Sequence, residues 1–182
     1  MKKLKNIKCI LLDIDGTLTN DNLVVSDNTK EIIKKTKEKG ILVVLCTGRP
    51  NQYAIEKSKM CNGSSIVIAD NGAIIYDYEQ SVPLFLSDIP QNIARKVWNI
   101  SMENDVDCVL NTTSTRYRYS KNSQNTYING GTFINDFDEV QGAVTQIVIN
   151  SENHDKLFNV RVEIDSISEL EVRSEEHTSE LQ

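Results

Sequence analysis

Ile7-Lys8-Cys9-Ile10-Leu11-Leu12-Asp13-Ile14-Asp15-Gly16-Thr17 is the stretch that decides the fold. Ile7 to Leu12 is nearly continuous apolar sequence, which suits a parallel strand buried on both faces. It runs directly into two acids, a glycine and a hydroxyl. The same arrangement recurs twice. Ile41 to Cys46 is a second apolar run and ends in Thr47-Gly48-Arg49-Pro50, and Ser65 to Ala69 is a third, ending in Asp70-Asn71-Gly72. Helical segments separate them. Ser26 can cap a helix through Lys39, with Ile32 and Ile33 toward the core and Gly40 as its stop. Pro50 stands where a second helix, Gln52 to Met60, can begin. Strand, helix, strand, helix, strand predicts an α/β protein whose first part is a partial, doubly wound parallel sheet.

Beyond Gly72 the pattern changes. Ala73 to Tyr76 and Val82 to Leu86 are short extended runs around a polar turn, a candidate hairpin. Ile89 to Met102 predicts a helix that turns Ala94, Val97 and Trp98 inward. Asp107 to Asn111, Thr115 to Tyr119 and Val144 to Asn150 predict strands. His154 to Ile164 fits a helical stripe (Leu157, Val160, Ile164) as well as an alternation, and its length, with the strand-like Leu170-Glu171-Val172 after it, favours a helix. Ser120 to Gln141 is rich in Asn, Gly and Asp and reads as loop with one short strand at most. The expected organisation is a first unit over 1–81 and a second, smaller α/β unit over 82–172.

Composition narrows the function. The chain has 182 residues, a formal net charge of −6, 39% hydrophobic and 25% charged residues. An acidic balance disfavours a general nucleic-acid surface, and no apolar run reaches the roughly 18 residues of a membrane span. Basic Met1 to Lys5 is followed by an apolar stretch that Asp13 and Asp15 interrupt, a poor secretory signal. Cys9, Cys46, Cys61 and Cys108 form no Cys-x-x-Cys pair and read as buried, reduced thiols of a cytoplasmic protein. The two histidines, His154 and His177, offer little for a His-based metal site or triad.

Ligands of an open α/β sheet bind at the carboxyl ends of the strands, where three polar signatures are expected to meet. Two carboxylates two residues apart can face one side of an extended segment. They repel each other unless a hard cation intervenes, and Mg²⁺ favours a few carboxylates, water and a phosphate. A hydroxyl with backbone N–H groups at a helix start, as at Thr47-Gly48-Arg49, suits phosphate oxygens. Taken singly, each signature has a plainer reading. Asp-x-Asp-Gly could be a turn or a calcium loop, although Gly16 comes too early for an EF-hand. Asn71-Gly72 alone would be a hairpin turn.

Leu11 to Leu18 resembles the first motif of haloacid-dehalogenase-type phosphatases, and Cys46-Thr47-Gly48-Arg49-Pro50 resembles their second. Asn71-Gly72-Ala73 after the third strand is similar to the Cof-like branch, which carries an α/β cap. The resemblance runs to Val172. It implies a nucleophilic Asp13 that also binds Mg²⁺, a general acid/base Asp15 whose carbonyl reaches the metal, and a phosphoryl site of Thr47, Gly48, Arg49, Asn71 and Gly72. The implied substrate is a small phosphorylated metabolite such as a sugar phosphate. A phosphosugar phosphatase or phosphomutase relative, and a non-catalytic phosphate-binding domain, are the alternatives. The oligomeric state is not readable.

The resemblance also implies a later lysine and a Gly-Asp followed by a further Asp, which nothing before Val172 matches. Asn135-Asp136-Phe137-Asp138 is acidic but follows no buried strand. Arg173 to Gln182 reads, residue for residue, as the translation of a common sequencing adapter and is set apart from fold reasoning. The expectation is therefore a fragment without turnover by itself, its first strand paired on one side only.

Overall fold

The computed structural model describes residues 6–20, 23–120, 130–167, 170 and 180–181. The chain divides into two compact units, one ending at Leu86 and one beginning at Ser87.

In the first unit, β1 (Cys9–Asp13), β2 (Leu42–Cys46) and β3 (Ile66–Ala69) are parallel, and β4 (Ile74–Asp77) and β5 (Val82–Leu86) add antiparallel strands in the order β1-β2-β3-β4-β5. The predicted hairpin exists. However, it extends the first sheet, so Val82 to Leu86 belongs with the first unit and not at the head of the second. Pairing partners are non-local, and a hairpin's own sequence does not say which sheet it joins.

Helix α1 (Asp27–Glu38) starts where expected, with Ser26 Oγ accepting from the Thr29 amide at 3.1 Å. Helix α2 (Asn51–Met60) has Pro50 as its N-cap. Val43 and Leu45 share one face of the sheet with Val67, since Leu45 and Val67 are in register. Ile33 of α1, Ala54 of α2 and Cys61 at the end of α2 are buried in the clusters built on that face. Ile32, also expected inward, is 55% exposed, because adjacent helical positions cannot share one narrow stripe. On the other face Leu11 is 60% and Leu42 41% exposed. Among the described residues β1 pairs with β2 alone. That is the one-sided pairing expected of the first strand; the exposure of Leu11 is what corrects the expectation of burial on both faces. Cys9 and Cys46 lie on the same sheet face as Leu11 and Leu42 and are exposed and half-buried, against the expectation of buried thiols, while Cys61 and Cys108 are buried.

The second unit holds α3 (Gln91–Glu103), β6 (Asp107–Thr112), β7 (Arg116–Tyr119), β8 (Thr132–Phe133), β9 (Val144–Asn150), α4 (His154–Asp165) and β10 (Glu180–Leu181), with sheet order β10-β9-β6-β7-β8. Trp98 of α3 meets Tyr119 at 5.6 Å and Phe137 at 6.3 Å, both edge-on, in a core that α4 completes with Leu157, Val160 and Ile164. His154 opens α4 and is exposed. The acidic Asn135–Asp138 stretch is structural. Asp136 caps a short 3₁₀ turn with Glu139, and Asp138 pairs with Arg95. The expected loop over 120–141 is described only outside 121–129, and most of the adapter-like tail lies outside the described residues. The backbone of Glu180 and Leu181 pairs with Asn150 and Ile149 of β9.

Candidate active site

The three polar signatures follow the carboxyl ends of three adjacent parallel strands. After β1, Ile14 is fully buried on the helix side; alternation turns Asp13, the last residue of β1, away from that core, and Asp15 follows in the turn. The Ile14 carbonyl accepts from the amides of Leu18 (2.9 Å) and Thr19 (3.0 Å) and from Thr19 Oγ1 (3.1 Å). Gly16 takes φ +73° inside this turn, a region costly for other residues. Thr17 Oγ1 donates to Asp13 Oδ2 at 3.0 Å.

The second signature is tied to the third. The Thr47 amide donates to Ile68 O at 3.0 Å, the Asp70 amide to Arg49 O at 3.0 Å, and the Asn71 amide to Thr47 O at 3.3 Å. Asp70, Asn71 and Gly72 adopt φ of 49°, 55° and 94°, three left-handed residues in succession. Left-handed non-glycine backbone persists only where its surroundings hold it, and here the two loops hold each other. Asn71-Gly72 does lie in a hairpin connection between β3 and β4, the plainer reading of that pair, and the same turn brings the Asn71 side chain against Gly48.

Thr47 is buried, and its Oγ1 accepts from the Arg49 amide at 3.0 Å. A hydroxyl that accepts still has a proton to donate, so Thr47 can serve an anionic oxygen. The Arg49 amide, one of the N–H groups expected to face a phosphoryl group, is occupied by this bond instead.

Arg49 reaches back to the first signature. Its Nε donates to Asp15 Oδ2 at 3.1 Å, with the Arg49 side chain 56% and the Asp15 side chain 30% exposed. Such a pair is worth at most about 1 kcal/mol, so it orients more than it stabilises. Tyr53, which the sequence reading does not single out, donates its hydroxyl to Asp15 Oδ1 at 3.0 Å. Its ring lies 5.7 Å from the Arg49 guanidinium carbon and 5.2 Å from Lys57 Nζ. Burial, the hydrogen bond to Asp15 and that residue's charge push the Tyr53 phenol up to about 12, against the opposing charge of Arg49. The available signal is its place in the first turn of the helix that follows Thr47-Gly48-Arg49.

Among the described residues no group of three or more His, Cys, Asp or Glu side chains could hold a metal. Asp13 offers one carboxylate, while both Asp15 oxygens are taken by Arg49 and Tyr53; one carboxylate still fits Mg²⁺, an ion usually bound through one or two carboxylates plus water and substrate phosphate. Nor, among the described residues, is any helix long and apolar enough to cross a membrane.

The profile of haloacid dehalogenase-like hydrolases matches residues 10–181. "Putative phosphatase MG265" of Mycoplasma genitalium is 24% identical over 183 residues, which cover 90% of this chain and 66% of that protein. The 5-amino-6-(5-phospho-D-ribitylamino)uracil phosphatase YcsE of Bacillus subtilis is 39% identical over 72 residues, 40% of this chain and 29% of that one. The crystal structure of a haloacid dehalogenase-like hydrolase from Bacteroides thetaiotaomicron superposes with a TM-score of 0.83 at 22% identity, covering 96% of this chain and 70% of its own. The chain thus spans about two thirds, or less, of the length of the curated relatives it matches. With a family profile matched over nearly its whole length, the chain belongs to the haloacid dehalogenase-like hydrolases.

Proposed function

We propose that this protein is a Mg²⁺-dependent, cytoplasmic phosphatase of small phosphorylated metabolites, sugar phosphates among them, working through an aspartyl-phosphate. One observation carries the reading: Asp13, Asp15, Thr47 and Arg49 follow the ends of adjacent parallel strands, and Arg49 and Tyr53 both bond the Asp15 carboxylate. The printed activity of the Bacillus subtilis relative, on a phosphoribityl compound, supports the substrate class.

In the first half-reaction an Asp13 carboxylate oxygen attacks phosphorus and the bond to the leaving alcohol breaks. Asp15 gives its proton to that alcohol oxygen. In the second half water attacks the phosphorus, Asp15 takes a proton from it, and the acyl phosphate opens to release phosphate and restore Asp13. Thr47, Gly48 and Arg49, with Asn71 and Gly72 behind them, hold the phosphoryl oxygens. Mg²⁺, bound through the Asp13 carboxylate and the Asp15 carbonyl, would screen the anionic nucleophile from the anionic substrate. We assign the second unit, from Ser87 onward, to a cap that chooses the leaving group. Phosphate release from an aryl phosphate by the full reading frame, with Mg²⁺ and with chelator, is the test. Release that chelator leaves unchanged, or no release under any condition, overturns the reading.

A further inference from the structure

We propose that Tyr53 is a positioning residue that fixes the Asp15 carboxylate for proton transfer to the leaving group. The inference rests on the phosphatase reading of Asp15. Its warrant is the way the two donors differ. Arg49 and Tyr53 each occupy one oxygen of the same carboxylate, at 3.1 and 3.0 Å, from positions 34 and 38 residues further along the chain. Arg49 lies before the first turn of α2, is more than half exposed and is the group best suited to leave Asp15 for an arriving phosphoryl oxygen. Tyr53 cannot leave so easily. It sits in the first turn of α2, its ring packs against the cluster of Ile14, Val43 and Leu45, and Arg49 and Lys57 flank the ring. Helical side chains lean toward the N-terminus, which aims the hydroxyl at the loop after β1. When Arg49 turns to the phosphoryl group, Tyr53 remains as the donor that keeps Asp15 in place.

Positioning of this kind affects proton delivery, not phosphate binding, and that separates it from a merely structural role. An alkyl phosphate needs its leaving oxygen protonated, whereas a nitrophenyl phosphate does not. Tyr53→Phe, which removes only the hydroxyl, should lower kcat/KM, which covers only the steps up to departure of the alcohol, about tenfold on an alkyl phosphate. On nitrophenyl phosphate it should lower kcat/KM no more than about twofold, whereas kcat, which includes the water-attack step common to both esters, can fall for either. Asp15→Asn run beside it in the full-length enzyme supplies the reference. If Asp15→Asn is selective for the alkyl ester and Tyr53→Phe is not, the positioning role falls and the phosphatase reading stands. If Asp15→Asn itself shows no such selectivity, the acid/base reading of Asp15 falls, and this inference with it. Circular dichroism of Tyr53→Phe checks that the fold is kept. Tyr53→His, which retains a ring donor, should recover part of the alkyl-ester rate.

Discussion

Replacing Gly48 by alanine should cost stability, and the cost should disappear when Asn71 is also replaced. A Cβ on Gly48 falls 2.6 Å from Asn71 Oδ1, 3.3 Å from its Cγ and 3.5 Å from its Nδ2. Gly48 is not among the left-handed glycines, so alanine meets no backbone strain and the whole penalty comes from moving Asn71. Forcing that short side chain off its rotamer costs about 0.5–1.5 kcal/mol, and any polar contact it gives up costs on the order of 1 kcal/mol more. Against this, Gly→Ala gains about 0.4–1 kcal/mol by restricting the unfolded chain. The net expectation is a loss of about 1 kcal/mol, or a fall of about 2–4 °C in Tm for a chain of this size. In an Asn71→Gly background the obstacle is gone, and φ of 55° suits glycine. There Gly48→Ala should be neutral or slightly stabilising. Thermal unfolding of the four proteins by far-ultraviolet circular dichroism reads the coupling. The lone tryptophan, Trp98, reports on the second unit and would miss it. An equal loss in both backgrounds would mean that the second and third signatures are not packed as described.

Asp13→Asn in the full-length enzyme should reduce phosphate release by several decades, because an amide is no nucleophile toward phosphorus; substantial residual turnover removes Asp13 from that role. Brief treatment of the native chain with an alkylating reagent should label Cys9 first, with Cys61 and Cys108 reacting only on unfolding, as mapped by mass spectrometry. Burial pushes the Cys108 thiol up to about 12 from an ordinary value near 9.0. Its stabilising contribution is therefore complete below pH 9 and is lost as pH rises from there through 12, and Cys108→Ala should flatten that part of the stability profile. Leu11→Thr should leave Tm almost unchanged while reducing self-association in light scattering, since it removes apolar surface from a one-sided edge strand.

Local pattern carried much of the fold. Ser26 as a cap, Pro50 ahead of α2, and the full extent of β9 are properties of a few neighbouring residues, and the sequence displays them. Length, together with the strand-like Leu170-Glu171-Val172 beyond it, favours the helix in the ambiguous run that forms α4; 171 and 172 lie outside the described residues. What a residue ends up beside was far less legible. The apolar character of Ile7 to Leu12 says what β1 could bury, not whether anything lies on its second side. Cys9 and Leu11 are exposed for that reason. Val82 to Leu86 was recognisable as half of a hairpin, but not as part of the first sheet. At the site, Asp13, Asp15 and Thr47-Gly48-Arg49 were visible because each ends an apolar run. Tyr53 was not, because its partner Asp15 lies 38 residues earlier and only the folding of α2 onto the sheet brings the two together.

The central claim is that Asp13 becomes phosphorylated during turnover. Its most direct test is to mix the full-length Asp15→Asn enzyme with Mg²⁺ and nitrophenyl phosphate, quench in acid and locate the phosphoryl group by peptide mass spectrometry, with borohydride reduction to mark the acyl phosphate. The account predicts a phosphoryl group on the peptide carrying Asp13 and conversion of that residue to homoserine on reduction. Turnover with no phosphorylated peptide, or with the label on any other residue, would contradict it.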